Sequence, residues 1–309
     1  MTLAMNFNVI GVGEVLWDLL LTGPQLGGAP ANFAYHAHAL GAQTQVITRL
    51  GKDAYGREII RRFHQMGLPE ATVQIDDTVP TGTAMVALSG DGLAHFTIQE
   101  NVAWDHIAVT REALVAASEA HAICFGSLAQ RSEPSRNAIQ QLVAETPADA
   151  LRVFDINLRQ RFYSRGLIEQ SLQLANVLKL NDYELPTLAD MFGLTGFAEH
   201  QIKHQIEWLA HTFSLRLVAL TRGANGSLLY QKDNDNNEVQ WSDCLSRPVK
   251  VVDTVGAGDS FTAAMVLGLL RKMGLDEINT IASEVARYVC SQPGATPALP
   301  IEFARRFSI

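Results

Sequence analysis

The sequence predicts an α/β protein built on a parallel β-sheet with helices on both faces. Short apolar runs at residues 122–125, 151–156, 177–180 and 217–220 have the length and composition of strands buried on both sides. Between and around them lie helix-like stretches at residues 134–144, 166–175, 184–191 and 199–213. Each run ends in a polar or glycine turn, and strand followed by helix, repeated, is the pattern of a parallel sheet. Ligands of such sheets sit beyond the carboxyl ends of the strands, so the residues directly after each run are the first candidates for function.

The remaining elements follow in chain order. Residues 7–10 read as a strand, residues 14–21 as another, and residues 33–40 as a helix stopped by Gly41. Residues 82–88 and 94–98 flank Ser89-Gly90-Asp91-Gly92, a hairpin signal. This hairpin and the strand at 14–21 do not fit a parallel sheet and are expected to form a small β-lid. The polar tract from Lys232 to Glu238 is expected at the tip of a surface hairpin between residues 227–230 and 239–241. An Ala/Leu/Met-rich helix then runs through Leu270. Neither an internal repeat nor a Pro/Gly/Ser linker divides the chain, so one domain over residues 1–309 is expected.

Composition narrows the function. The 309 residues carry 24 Lys+Arg against 32 Asp+Glu, a formal net charge of −8, which excludes a basic surface made for nucleic acid or anionic lipid. At 47% hydrophobic and 18% charged, the chain has a globular composition. No apolar run approaches the roughly 18 residues of a membrane-spanning helix, and no N-terminal stretch has the order of a signal peptide. Cys124, Cys244 and Cys290 are far apart and odd in number, so no disulfide framework or zinc site is readable and a cytoplasmic location is expected. His200 and His204 are four apart but lack the glutamate of HExxH, and their surroundings read as a solvated helix face.

Two glycine-rich segments carry chemistry. In Asp253-Thr254-Val255-Gly256-Ala257-Gly258-Asp259-Ser260-Phe261, small residues before a helix free several backbone N–H groups to face one anion, and the helix dipole adds attraction. Gly256, Ala257 and Gly258 are thus a candidate anion hole. Asp259 is a candidate acceptor for the proton of a hydroxyl attacking a bound phosphoryl group. The plainer alternative is a tight turn followed by a first-turn aspartate. In Leu26-Gly27-Gly28-Ala29-Pro30-Ala31-Asn32, paired glycines let the backbone approach a ligand, Pro30 suits a first helical turn, and Asn32 offers donor and acceptor to a polyol. Asp18 is expected to converge on the same place. The Gly51-Lys52-Asp53-Ala54-Tyr55-Gly56 turn is expected to be structural.

Two look-alikes fail. Gly11-Val12-Gly13 lacks the third glycine of a dinucleotide fingerprint, where Leu16 stands, and no P-loop is present because Gly51-Lys52 is followed by Asp53.

Taken together, the segment from Gly27 to Asn32, the Gly51-to-Gly56 turn and the segment from Asp253 to Phe261 resemble the two signatures of the ribokinase-like, or PfkB, carbohydrate kinases. The resemblance runs from about residue 9 to about residue 300. The segments from Gly13 to Asp18, from Leu26 to His36 and from Asp155 to Gln160 are most similar to bacterial fructokinases. The resemblance implies a ribokinase-like three-layer α/β/α sandwich with a mostly parallel central sheet and a small β-sheet lid from about 14–21 and 80–99. It also implies transfer of the ATP γ-phosphate to a sugar hydroxyl, with Asp259 as base and Gly256, Ala257 and Gly258 as anion hole. Fructose, giving fructose 6-phosphate, is the first-choice acceptor.

By the same resemblance, Asp18, Gly28, Asn32 and Asn101 are sugar ligands. Arg159 stabilises charge near the γ-phosphate, with a surface salt bridge as the alternative. Asn181-Asp182-Tyr183-Glu184 is similar to the family's NxxE motif, in which Asn181 and Glu184 organise Mg²⁺ and phosphate through water. Thr221, Gly223 and Gly226 match the nucleotide-phosphate loop, with Arg222 left open between phosphate and loop cap. Asp253, Val255, Val289, Gln292 and Gly294 match a K⁺ site, although Ala298 and Gln292-Pro293 depart from its usual surroundings. Ribokinase, 2-keto-3-deoxygluconate kinase and nucleoside kinase stay open as alternatives, Trp17, Phe96 and Trp104 offering stacking surface to a nucleoside. From another class, a non-catalytic sugar sensor would be expected to lose the base or the anion hole. Sugar and ATP are the expected partners, without nucleic acid or membrane, and a homodimer through the lid is expected from its uncovered edges.

Overall fold

A computed structural model describes residues 7–20, 23–88, 94–194, 199–232 and 238–308. The chain begins β1 (Asn8–Val12), β2 (Leu16–Leu20), β3 (Gly23–Gly27), α1 (Ala29–Ala39), β4 (Gln43–Gly51), α2 (Ala54–Gln65) and β5 (Val73–Asp76). It continues β6 (Gly82–Leu88), β7 (Ala94–Ile98), α3 (Arg111–Ser118), β8 (Ala122–Phe125), α4 (Glu133–Ala144), β9 (Leu151–Asp155), α5 (Arg165–Leu174) and β10 (Val177–Asn181). It ends α6 (Glu184–Phe192), α7 (Glu199–Thr212), β11 (Leu217–Thr221), β12 (Ser227–Lys232), β13 (Val239–Cys244), α8 (Ala257–Leu270), α9 (Leu275–Cys290) and α10 (Ile301–Arg305).

The main sheet has the order β13-β12-β11-β10-β9-β8-β1-β4-β5. From β11 to β5 every pairing is parallel, and β12 and β13 extend that sheet antiparallel. The four strands read from apolar runs are β8 to β11, side by side at its centre. Their residues alternate between two buried faces, as the pleat requires. Ile123, Phe125 and Phe154 join a core with α4, α5 and α7. Cys124, Leu151 and Val153 join the opposite core with α1, α8 and α9. The result is the ribokinase-like layered α/β fold.

The second sheet has the order β3-β2-β6-β7, with β2 and β6 parallel and the outer pairs antiparallel. Its first strand starts at Leu16, so Glu14, read from the sequence as part of it, falls in the turn after β1 and is buried at 3% exposure. β3 was not expected, because Gly-Pro-Gln-Leu-Gly reads as a turn. Pro24 is tolerated there since β3 is an edge strand and needs partners on one side only. β4 was hidden for another reason: buried Thr44 and Thr48 interrupt its apolar run. Leu21, the Ser89-to-Gly92 turn and residues 233–237 of the expected hairpin tip lie outside the described residues.

The Gly51-to-Gly56 turn joins the two sheets. Asp53 caps α2 by accepting from the Gly56 amide at 2.8 Å, and it accepts from both the amide and the hydroxyl of Thr81 at 2.8 Å. The Gly51 amide donates to the Thr81 hydroxyl at 3.0 Å. These bonds fix the root of β6.

Candidate active site

The site lies at the carboxyl ends of β1, β9, β10 and β11, where the start of α8 faces the start of α1. Gly256 caps α8 in a left-handed conformation (φ 78°), and a Cβ there would sit 2.3 Å from the Ala295 carbonyl oxygen, so only glycine fits. Ala257 and Gly258 open the helix, the Ala257 amide lying 3.3 Å from the Thr254 carbonyl oxygen. Asp259 follows, half-buried by its own exposure but densely surrounded by protein. The Asn32 side-chain amide donates to Asp259 Oδ2 at 2.8 Å, joining residues 227 apart in the chain. The two glycine-rich segments therefore form one place.

Burial raises the Asp259 pKa to about 6, and the nearby Asp155 carboxylate adds to the rise, while Asn32, Lys179 and Arg159 pull it down. Asp18 lies across the preceding strand: a Cβ on Gly27 would be 2.5 Å from Asp18 Oδ2. Burial raises its pKa, opposed by Arg159. Arg159 is exposed, bonds the Leu158 carbonyl at 3.0 Å, and sits between two left-handed residues, Asn157 (φ 44°) and Gln160 (φ 48°). Its charge lowers the pKa of both Asp18 and Asp259. Gly28 caps α1, its carbonyl accepting from the Asn32 amide at 3.0 Å. Asn101, left-handed at φ 56°, is exposed and pairs with His106 at 3.2 Å rather than with Asp18, Asn32 or Asp259.

Three residues of this site were missed. Lys179 is buried within the apolar β10 and pairs with Asp155, at the end of β9, at 3.0 Å. A Cβ on Gly258 would lie 2.9 Å from its Nζ, so a buried cation sits directly beneath the candidate anion hole. Burial works against its charge, but Asp155, Glu184 and Asp259 outweigh that and leave its pKa raised. Thr262, one turn into α8, places its hydroxyl 3.0 Å from both Asp155 Oδ2 and the Gly258 carbonyl. A lysine and an aspartate in strands 24 residues apart give no local signal of pairing.

Asn181 and Glu184 form a reciprocal cap at the start of α6. Asn181 Oδ1 accepts from the amides of Tyr183 and Glu184, both at 2.9 Å, while Glu184 Oε2 accepts from the Asn181 amide at 2.9 Å. Glu184 Oε1 accepts from the Leu158 amide at 2.9 Å, so the same carboxylate also holds the Arg159 loop. With its oxygens already engaged by backbone, Glu184 suits a hydrated cation better than a bare one. No cluster of three or more His, Cys, Asp or Glu able to hold a metal is present among the described residues.

A cavity of about 970 Å³ opens beside Gly258 and is lined by Asn181, Thr221, Gly223, Gly226 and Ala257. Its far wall, which includes Leu245, Val251 and Cys290, carried no motif. Arg222 pairs with Asp243 and the Ser227 carbonyl, which makes it a cap of its loop. Asp253 accepts from the Val255 amide at 3.0 Å and the Gly294 amide at 3.1 Å, bringing three of the expected K⁺ residues together. The Val289 carbonyl accepts from the Gln292 amide at 3.0 Å within the turn that ends α9. Trp17 and Trp104 are 1% exposed, core residues rather than a stacking platform for a base. The side chain of Phe96 lies outside what is described.

Comparison with known proteins agrees with this geometry. The family model of the pfkB family carbohydrate kinases matches residues 23–302. The chain belongs to that family. A fructokinase of Salmonella typhimurium is 28% identical, covering 96% of this chain and 98% of its own. A fructokinase of Solanum tuberosum is 27% identical over 95% of this chain and 93% of its own. Among solved structures, an uncharacterized sugar kinase from Pyrococcus horikoshii superposes with a TM-score of 0.79 at 26% identity, over 98% of this chain and all of the other. The fructokinase of Xylella fastidiosa with bound ATP shares the fold, with a TM-score of 0.80 at 22% identity over 97% of each chain.

Proposed function

We propose that this pfkB family kinase transfers the γ-phosphate of ATP to a hydroxyl of fructose, giving fructose 6-phosphate. The observation that carries the reading is the 2.8 Å bond from Asn32 to Asp259, which unites the polyol-type segment with the base and anion hole beside a cavity of about 970 Å³. The fructokinase relatives at 27–28% identity support the choice of sugar. A Vibrio cholerae fructokinase variant of the same fold was solved with fructose, ADP and potassium ion. The burial of Trp17 and Trp104 takes away two of the three side chains that favoured a nucleoside. Retention of Asp259 and the glycine turn speaks against a non-catalytic sensor.

In the proposed mechanism Asp18, Gly28, Asn32 and Asn101 hold the sugar, and the small sheet closes over it. Asp259 takes the proton of the attacking hydroxyl, whose oxygen attacks the γ-phosphorus in line as the bond to ADP breaks. The amides of Gly256, Ala257 and Gly258 receive the developing negative charge, with Arg159 adding positive field from the other side. Nucleotide phosphates lie along Thr221, Gly223 and Gly226. Mg²⁺, held through water by Asn181 and Glu184, would neutralise phosphate charge, and K⁺ at Asp253, Val255, Val289, Gln292 and Gly294 would brace the turn behind the anion hole. The three unpaired cysteines suit a cytoplasmic setting. A second copy adding to the lid edges β3 or β7 would give the homodimer this reading includes.

The test is ADP release across fructose, ribose, glucose, ketodeoxygluconate and adenosine, with and without K⁺. Fructose should give the highest kcat/KM, and a better rate on another acceptor replaces it. Asp259→Asn should lower kcat about 10³-fold while sugar binding by calorimetry changes little. Undiminished turnover would remove Asp259 from the role of base.

A further inference from the structure

Helix α1 touches the site at two points. Asn32 and His36 are four residues apart and so share one face of the helix. Asn32 bonds Asp259, and His36 reaches behind the anion hole, with its Nε2 2.9 Å from the Ala295 carbonyl oxygen. A carbonyl only accepts, so Nε2 carries the hydrogen and donates. That same carbonyl is the atom against which Gly256 is packed, 2.3 Å from where a Cβ would stand. The path from His36 to Ala295 to Gly256 ends at the first amides of α8.

Nothing in core packing calls for a histidine at this position. Its side chain is 0% exposed, and Nδ1 has no partner. A bare buried ring nitrogen costs stability that leucine or phenylalanine would not. Burial lowers the His36 pKa to about 4, so the ring is a neutral donor across the working range of an enzyme. The adjacent Tyr35 hydroxyl donates to the Pro297 carbonyl at 3.2 Å, a second tie from α1 to the same loop.

We propose that His36 is a positioning residue whose Nε2–H holds the Ala295 carbonyl against Gly256 and thereby sets the amides of Gly256, Ala257 and Gly258 for the transferring phosphoryl group. This rests on the reading of those amides as the anion hole and of Asp259 as the base. The γ-phosphoryl group is charged already in bound ATP, but it takes the planar, in-flight geometry that the hole is set for only during transfer, so a misplaced hole weakens the transition state more than either ground-state complex. The cost falls on kcat and spares KM.

The experiment compares His36→Leu and His36→Phe, which lack the donor, with His36→Gln, which keeps an N–H. In the first two, kcat should fall about tenfold, less than the roughly 10²-fold cost of deleting an oxyanion donor outright. KM for sugar and ATP should stay within about threefold, and affinity for ADP with aluminium fluoride should fall in step with kcat. His36→Gln should recover most of both, and Tyr35→Phe should leave kcat unchanged. Thermal unfolding verifies folding, and the phenylalanine variant, which keeps the volume, stands in if the leucine variant does not fold. Wild-type kcat in the donorless variants, equal losses in all three, or a loss confined to KM would overturn the assignment. The two readings fail separately: turnover by Asp259→Asn removes the base, whereas an inactive Asp259→Asn beside a fully active His36→Phe removes only the role of His36.

Discussion

Asp259 is tuned by opposed forces, since burial and Asp155 favour its proton while Asn32, Lys179 and Arg159 favour its loss, leaving a pKa of about 6. As the proposed base, Asp259 must be ionised, so kcat/KM should fall tenfold per pH unit below about 6 and level off above it, as a pH–rate profile for the free enzyme will show. Glu14 is the complementary case. Burial raises its pKa from 4.5 to about 7, against the pull of its own amide, Arg159 and the Ala29 amide, and Oε2 has no partner. A carboxyl raised on folding stabilises fully below its unfolded pKa and loses that contribution as pH rises to the folded value. Wild-type stability should therefore decline between pH 4.5 and 7 by up to about 3 kcal/mol relative to Glu14→Gln. Urea unfolding of both proteins at pH 4.5 and pH 8 measures this, and parallel pH dependence would contradict it.

Elements were legible where one physical signal dominated. β8 to β11 are continuous apolar runs because both faces of the central sheet are covered, and α8 announces itself by small residues followed by an apolar helix. β3 and β4 were illegible because proline at an edge and threonine in a core imitate loop composition. Lys179 was illegible because its partner, Asp155, comes from another strand. Asn181-Asp182-Tyr183-Glu184 was legible as a motif but not in its local work, which is to cap α6 and, through Leu158, hold the loop of Arg159. Glu184→Gln puts an NH₂ where one of two backbone amides now finds an acceptor. That half-buried amide should cost about 1 kcal/mol in urea unfolding, and kcat should fall with it because Arg159 loses its support. Loss of stability with unchanged kcat would mean that Arg159 does not depend on this cap.

At the scale of the whole molecule, a net charge of −8 coexists with a site built for phosphate because the positive field is local: Lys179 under Gly258, Arg159 opposite, and the start of α8. In the proposed function the small sheet closes over that site, and the sheet is tied down at both roots. Thr81, before β6, is held by Asp53 and Gly51, and the Gln99 carbonyl, after β7, accepts from Arg131. Arg131 is itself fixed by a buried pair with Asp105 at 2.8 Å and lies 3.9 Å over the Trp104 ring. Roots held by charge-assisted bonds, one of them anchored through the buried Arg131–Asp105 pair, move far less readily than strands whose outer edges are open. Closure should then be a swing of β2, β3 and β6 about fixed ends. Hydrogen exchange with fructose and a non-hydrolysable ATP analogue should slow amides of β2, β3 and β6 at least severalfold, while Thr81 and residues 102–105 exchange as in the free protein. Equal protection at the roots would mean that they reorganise on binding, and the small sheet would then be remodelled rather than swung.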